Sequence, residues 1–231
     1  MIVTSRFVFL HLHKSGGTFV NECLMKFLPD AQRIGYHLPR TMIPKESAKL
    51  PVLGFVRNPW SYYVSWYTFQ LERPSPNFLF RILSDDGRLD FHDTLRNMLD
   101  LGAGSVRLEL VIRALPSRYS NQGLNLPGFA LAPIRDTQLG FYTYLYRYLY
   151  GGEGRPAVVG RLEELREELI PMLESVAQPV SEETRCYIQK ESPRNTSQHR
   201  SYTEYYDDYL RDLVANRDAE VIRRHGYRFG A

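Results

Sequence analysis

The apolar positions of this chain follow two periods. Residues 6–12, "RFVFLHL", are an almost unbroken run of apolar and aromatic side chains, the pattern of a buried strand. Residues 17–28 change period: Phe19, Val20, Cys23, Leu24 and Phe27 recur at helical spacing and predict a helix. Strands are predicted at 32–37 ("QRIGYH"), at 51–57 ("PVLGFVR") and at 156–160 ("PAVVG"). Asn58-Pro59 opens a helix after the 51–57 strand, because Asn caps well and Pro is tolerated at the first helical position. A further helix is expected over 161–176, with Leu162, Leu165, Leu169 and Leu173 inward and a kink at Pro171. Strands alternating with helices predict an α/β fold with a central parallel sheet and right-handed crossovers.

Two stretches depart from this alternation. Residues 73–135 hold many of the 14 prolines and 16 glycines and are read as an irregular insertion over one end of the sheet, on the substrate side. An amphipathic piece lies within it at 91–100. The C-terminal helix is expected to begin at a capping box, Ser201-Tyr202-Thr203-Glu204, and to end at Gly226 behind Arg223, Arg224 and His225. The "FYTYLYRYLY" segment, 141–150, is read as packing, with room for one or two rings to line a pocket.

Composition narrows the function classes. The 231 residues suit a single α/β domain over 1–231, and 43% hydrophobic with 24% charged residues is ordinary for a globular protein. A formal charge of +3 gives no argument for nucleic acid but leaves room for a local basic pocket. The two cysteines, Cys23 and Cys186, imply no disulfide framework. No secretory leader or membrane-length apolar run stands out, so a cytoplasmic location is expected.

The candidate chemistry begins where the first strand turns into a helix, at Lys14-Ser15-Gly16-Gly17-Thr18. A glycine-containing turn at a helix N-terminus gathers backbone N–H groups and the positive end of the dipole around one point, which suits a phosphate. Ser15 and Thr18 add hydroxyls and Lys14 a full charge. The lysine precedes the glycines, whereas an ATP-binding P-loop has it after them, so a magnesium-dependent kinase fits poorly. Taken alone, the motif is also compatible with an ordinary strand–turn–helix corner. A second stretch, "GFVRNPWSYYVSWY" (54–67), ends a strand at Arg57 and carries Ser65 on the following helix; the two are expected to make a second phosphate clamp, a surface arginine and a buried serine being the alternative.

These two stretches together resemble sulfotransferases that use 3'-phosphoadenosine 5'-phosphosulfate (PAPS). "HKSGGTFV" is similar to their 5'-phosphosulfate loop and "FVRNPWSYYVSWY" to their 3'-phosphate motif. The Gly-Gly form resembles the carbohydrate-type (sulfotransferase family 2-like) branch more than the phenol and steroid enzymes. "VVGRLEELREEL" and "YDDYLRDLVANRDAEVIRRHGYRF" are similar to later family segments, so the resemblance covers nearly all of the chain except the middle. It implies a P-loop-like three-layer sandwich that binds PAPS as co-substrate without a metal. It also implies roles. Lys14 contacts the phosphosulfate, the loop from Ser15 through Gly16, Gly17 and Thr18 to Phe19 holds the 5'-phosphate, Phe19 stacks on adenine, and Arg57 with Ser65 takes the 3'-phosphate. Arg194, Ser197 and Arg200 of the loop 192–202 are candidates to complete the donor site, a solvated loop being the alternative. Two departures stand out: His13 replaces the usual proline, with little consequence expected, and Leu162 stands where some relatives place a tyrosine against adenine.

Transfer to an alcohol needs a general base. Of the six histidines, His37 ends the 32–37 segment, where the carbohydrate branch often shows a histidine acting as base; a loop histidine that only hydrogen-bonds is the alternative. Glu46 and Glu72 are the fallbacks. His11 and His13 flank the loop, so one is expected to face the site and the other the core. The expected function is sulfuryl transfer to a hydroxyl acceptor, a small molecule or glycan. A P-loop kinase and a non-catalytic nucleotide-binding module are the alternatives.

Overall fold

A computed structural model describes residues 1–103, 105–121, 123–192 and 200–231. The chain divides into two compact units. One holds Met1–Arg57 and the described part of Arg147–Thr196; the other holds Asn58–Tyr146 and the described remainder.

The first unit carries the sheet. Its strands are β1 (Ile2–Val3), β2 (Val8–Leu10), β3 (Gln32–Arg33), β4 (Val52–Val56) and β5 (Val158–Arg161), in spatial order β3-β1-β2-β4-β5. β2, β4 and β5 run parallel, with Leu10 opposite Gly54 and Val56 opposite Arg161; β1 pairs antiparallel with both β2 and β3. Every residue of β2 and β4 is buried, which is why these segments read as continuous apolar runs rather than alternating ones. α1 (Gly17–Phe27), α8 (Leu165–Ser175) and α9 (Glu182–Lys190) supply the helices, and Val20, Leu24, Leu169 and Leu173 join Phe9 and Phe55 in one core. Leu162 precedes α8 in a short 3-10 turn and packs half-buried against that core.

The strand expected over 32–37 is only Gln32–Arg33, an exposed edge pairing antiparallel. It stops because the amides of Ile34 and Gly35 both turn to the carbonyl of Met1, and His37 then takes a left-handed conformation, φ 50°. Short charged edge strands of this kind resist further pairing. β1 carries too few residues to show a period.

The second unit is helical. α2 (Pro59–Leu71) is capped as the sequence predicts: the Asn58 side chain accepts from the amides of Trp60 and Ser61, with Pro59 at the first position. The stretch 73–135, expected to be irregular, contains α3 (Phe78–Leu83), α4 (Phe91–Leu99), α5 (Val106–Ala114) and α6 (Gly128–Leu131). Asn77, Asp90 and Ser105 cap the first three. α7 (Phe141–Tyr150) packs its tyrosines as expected. Tyr142 stacks on Tyr62 at 4.0 Å, and Tyr144 donates to the carbonyl of Ala130. At the other end of α7, within the first unit, the Tyr150 hydroxyl lies 2.9 Å from the carbonyl of Phe55 and 3.3 Å from that of Leu10.

The predicted C-terminal helix is divided. Ser201 precedes only a 3-10 turn, Tyr202–Tyr205, and makes no side-chain cap. α10 (Asp208–Arg217) starts under an Asp207 cap, and α11 (Ala219–His225) follows after Asp218, ending at left-handed Gly226. The break falls at Asp218 because its carboxylate is buried, accepting from the Tyr63 hydroxyl and from the amide of Thr143, each at 2.7 Å. Among the described residues, no helix is long and apolar enough to cross a membrane.

Candidate active site

The site grows from the carboxyl ends of neighbouring parallel strands. β2 ends at Leu10 and the chain turns through 13–16 into α1. Lys14 (φ 58°) and Gly16 (φ 73°) are both left-handed, and no side chain caps the helix at Gly16. An L-residue reaches this region only at a cost, so Gly16 is a conformational requirement. Gly17 is required for a different reason: a Cβ there would sit 1.9 Å from Cδ2 of His11. A Cβ on Gly16 would likewise meet Leu162 at 2.5 Å. The two glycines thus let a histidine and a leucine close on the loop from behind.

The other loop residues fall as follows. Ser15 is buried and its hydroxyl donates to the carbonyl of His13 at 3.3 Å. Thr18 is half-buried in the first turn of α1. Phe19 belongs to the core, 6% exposed; its ring stacks on Tyr187 at 5.6 Å with the Arg166 guanidinium 5.5 Å from its centroid. The expected adenine-stacking ring therefore already has aromatic and cationic neighbours.

Arg57 follows β4, half-buried, and its Nη1 donates to the carbonyl of Lys14 at 3.5 Å. The pairing of β2 with β4 thus brings the ends of both sequence motifs together. Ser65 lies buried on α2, in the other unit. Arg200 is exposed and pairs with Glu204 at 3.7 Å, beside the Tyr205 ring. Arg194 and Ser197 lie outside the described residues. Glu46 and Glu72 are both exposed.

His37 sits among histidines. Its Nδ1 is 2.8 Å from the carbonyl oxygen of His11, and its ring stacks on His13 at 3.6 Å, planes 19° apart. The His11 ring tilts against it at 4.4 Å and contacts Asn21 Nδ2 through Nδ1 at 3.2 Å. Burial pushes His37 down to about 4, partly opposed by the bond to the His11 carbonyl, so the imidazole is neutral at pH 7. Burial also holds His11 well below its ordinary value, with the neighbouring histidines adding to the shift. The expectation that His11 and His13 face opposite ways is corrected: both rings reach His37. Positions two apart on an extended chain lie on the same side, so both rings can reach one partner. Among the described residues no group of His, Cys, Asp or Glu is placed to hold a metal ion.

Arg161, which the sequence reading did not single out, also closes a parallel strand, at the end of β5 beside Val56. Its guanidinium pairs with Glu164 and its amide with Glu168. A basic residue closing a strand was the available signal, already used to select Arg57.

No family model matches the chain, and no curated protein matches it. Among solved structures, the crystal structure of mouse sulfotransferase SULT7A1 complexed with PAP matches with a TM-score of 0.52, covering 95% of this chain and 87% of that one at 11% sequence identity. At that identity the likeness concerns architecture: a parallel-dominated sheet flanked by helices, the P-loop-like sulfotransferase fold.

Proposed function

We propose that this chain is a PAPS-dependent sulfotransferase that moves a sulfuryl group to a hydroxyl acceptor, a carbohydrate or glycoconjugate being the favoured class. The observation that carries the reading is the meeting of Arg57 with the Lys14 loop at the ends of β4 and β2, beside the N-terminus of α1, which opens at Gly16. Two cations at a helix N-terminus suit a ligand with more than one anionic group. The mouse enzyme with this fold was solved with PAP, adenosine 3',5'-bisphosphate.

When bound, PAPS supplies the sulfuryl group; the chain's residues position it and manage charge. The amides from Ser15 to Phe19 and the Thr18 hydroxyl hold the 5'-phosphate. Lys14 stabilises charge on the bridging oxygen as it leaves. Arg57 and Ser65 bind the 3'-phosphate, the group that distinguishes this donor from ATP. Arg194, Ser197 and Arg200 complete the donor site from the late loop. Phe19 supports the loop from the core. His37, neutral at pH 7, takes the acceptor's hydroxyl proton. The Gly-Gly loop favours the carbohydrate-type acceptor.

Calorimetry separates this from a kinase. PAP without metal should bind far more tightly than AMP, and ATP with Mg²⁺ should bind weakly. Equal binding of PAP and AMP, or a preference for ATP with Mg²⁺, defeats the proposal. Transfer from PAPS to a panel of hydroxyl acceptors separates an enzyme from a binding module.

A further inference from the structure

Three contacts fix the ring of His37. Its Nδ1 faces the backbone carbonyl of His11 at 2.8 Å. A carbonyl oxygen can only accept, so Nδ1 carries the ring proton and the Nε2 lone pair is left for another partner. The His13 ring stacks on His37 nearly face to face at 3.6 Å, and the His11 ring closes a second side at 4.4 Å. His11 is itself immobilised: it is buried, contacts Asn21, and sits against Gly17, where no side chain could be added. The backbone of His37 is left-handed, which the surrounding contacts must sustain.

We propose that His13 is a positioning residue for His37: its stacked ring keeps the Nδ1–H bonded to the His11 carbonyl and so presents Nε2 as the proton acceptor. The role rests on the sulfotransferase reading. There, Nε2 takes the proton of the acceptor hydroxyl and its oxygen forms the new bond to sulfur. The bridging S–O bond breaks, and its electron pair leaves with the phosphate. A ring free to turn would spend part of its time with a protonated nitrogen towards the acceptor, and neutral histidine in water prefers the Nε2–H form. Stacking against a fixed loop removes that freedom without adding a charge beside Lys14. A proline at position 13 would have no ring π-system to do this.

The test reads the tautomer directly. Long-range ¹H–¹⁵N correlation spectra of ¹⁵N-histidine-labelled full chain at neutral pH, assigned with His37→Gln, should show His37 as a single Nδ1–H tautomer. His13→Ala should convert it to an exchanging mixture with the Nε2–H form, and His13→Phe, which restores a stacking ring, should return the single tautomer. An Nε2–H tautomer in the native chain overturns the proposal, and so does an unchanged Nδ1–H signal in His13→Ala. If His13→Ala fails to fold, the native spectrum and the His13→Phe variant still decide: loss of the Nδ1–H form in a folded His13→Phe also overturns it. PAP calorimetry on the same samples tests donor binding separately, so a failed donor and a failed tautomer are distinct results.

Discussion

Arg57 donates from Nη1 to the backbone carbonyl of Lys14 at 3.5 Å, joining two residues 43 positions apart. The register explains the meeting. Leu10, the last residue of β2, stands opposite Gly54, so the loop that follows β2 lies beside the end of β4. Tyr150 holds the same two strands just below, its hydroxyl within reach of the carbonyls of Leu10 and Phe55. Parallel strands place their carboxyl ends on one edge, where α/β proteins bind ligands. What the sequence separates, the sheet thus assembles.

Arg57→Ala should weaken PAP binding by about 2–4 kcal/mol, the usual cost of leaving a charged partner unpaired in a partly buried site. AMP, lacking the 3'-phosphate, should lose much less. Calorimetry with both ligands checks this; an equal loss for PAP and AMP would move Arg57 from the 3'-phosphate to the loop it touches.

Gly17→Ala should destabilise the chain, although alanine ordinarily favours a helix. The added methyl would lie 1.9 Å from the His11 ring, which is buried and cannot withdraw freely. Overpacking of this kind costs about 1–3 kcal/mol. Thermal denaturation measures it. The double variant with His11→Ala should recover part of the loss, because the clash is with that ring; no recovery would place the strain elsewhere.

Asp218 makes stability depend on pH in an unusual direction for a carboxylate. Burial raises it from 3.8 to about 6, against the hydrogen bonds from Tyr63 and Thr143. The folded state therefore holds this proton more tightly than the unfolded one. The contribution is greatest below about 3.8 and is lost as pH rises towards 6. Chemical denaturation of wild type and Asp218→Asn at several pH values isolates it, since other groups cancel in the difference. Wild type should gain about 3 kcal/mol relative to Asp218→Asn between neutral pH and pH near 3, by the size of the shift. A difference that does not change with pH would show that Asp218 is not the titrating group.

The legible parts of the sequence were those where one local rule acts alone. β2 and β4 are fully buried and show it; Asn58-Pro59 caps α2 by side-chain chemistry that needs no distant partner. The two candidate motifs stood out because each joins a strand end to a helix start with a cation at the turn. Features set by distant residues could not be read this way. The 32–37 strand is cut short by the carbonyl of Met1, and the C-terminal helix is interrupted where Asp218 meets Tyr63 and Thr143. Of the helices of 73–135, α4 was signalled by the amphipathic piece at 91–100; the other three are short, and proline and glycine content concealed them. The contact between His13 and His37 crosses 24 positions of sequence and leaves no periodic trace.

The last prediction separates the two ends of the proposed transfer. Lys14→Ala should lower turnover about 10²–10³-fold, because charge on the leaving oxygen is largest in the transition state. His37→Ala should leave PAP binding nearly intact and lower turnover about 10²–10⁴-fold on an alkyl alcohol. An acidic phenol loses its proton easily, so it should partly rescue His37→Ala and leave Lys14→Ala as slow as before. The pH profile gives an independent reading. A base works only when unprotonated, and burial holds His37 near 4, below its ordinary 6.5. The acid limb of kcat/KM, which reports the free enzyme, should therefore fall through about 4 and should vanish in His37→Ala. Full activity of His37→Ala on the alcohol would move the base elsewhere, with Glu46 and Glu72 the next variants to make.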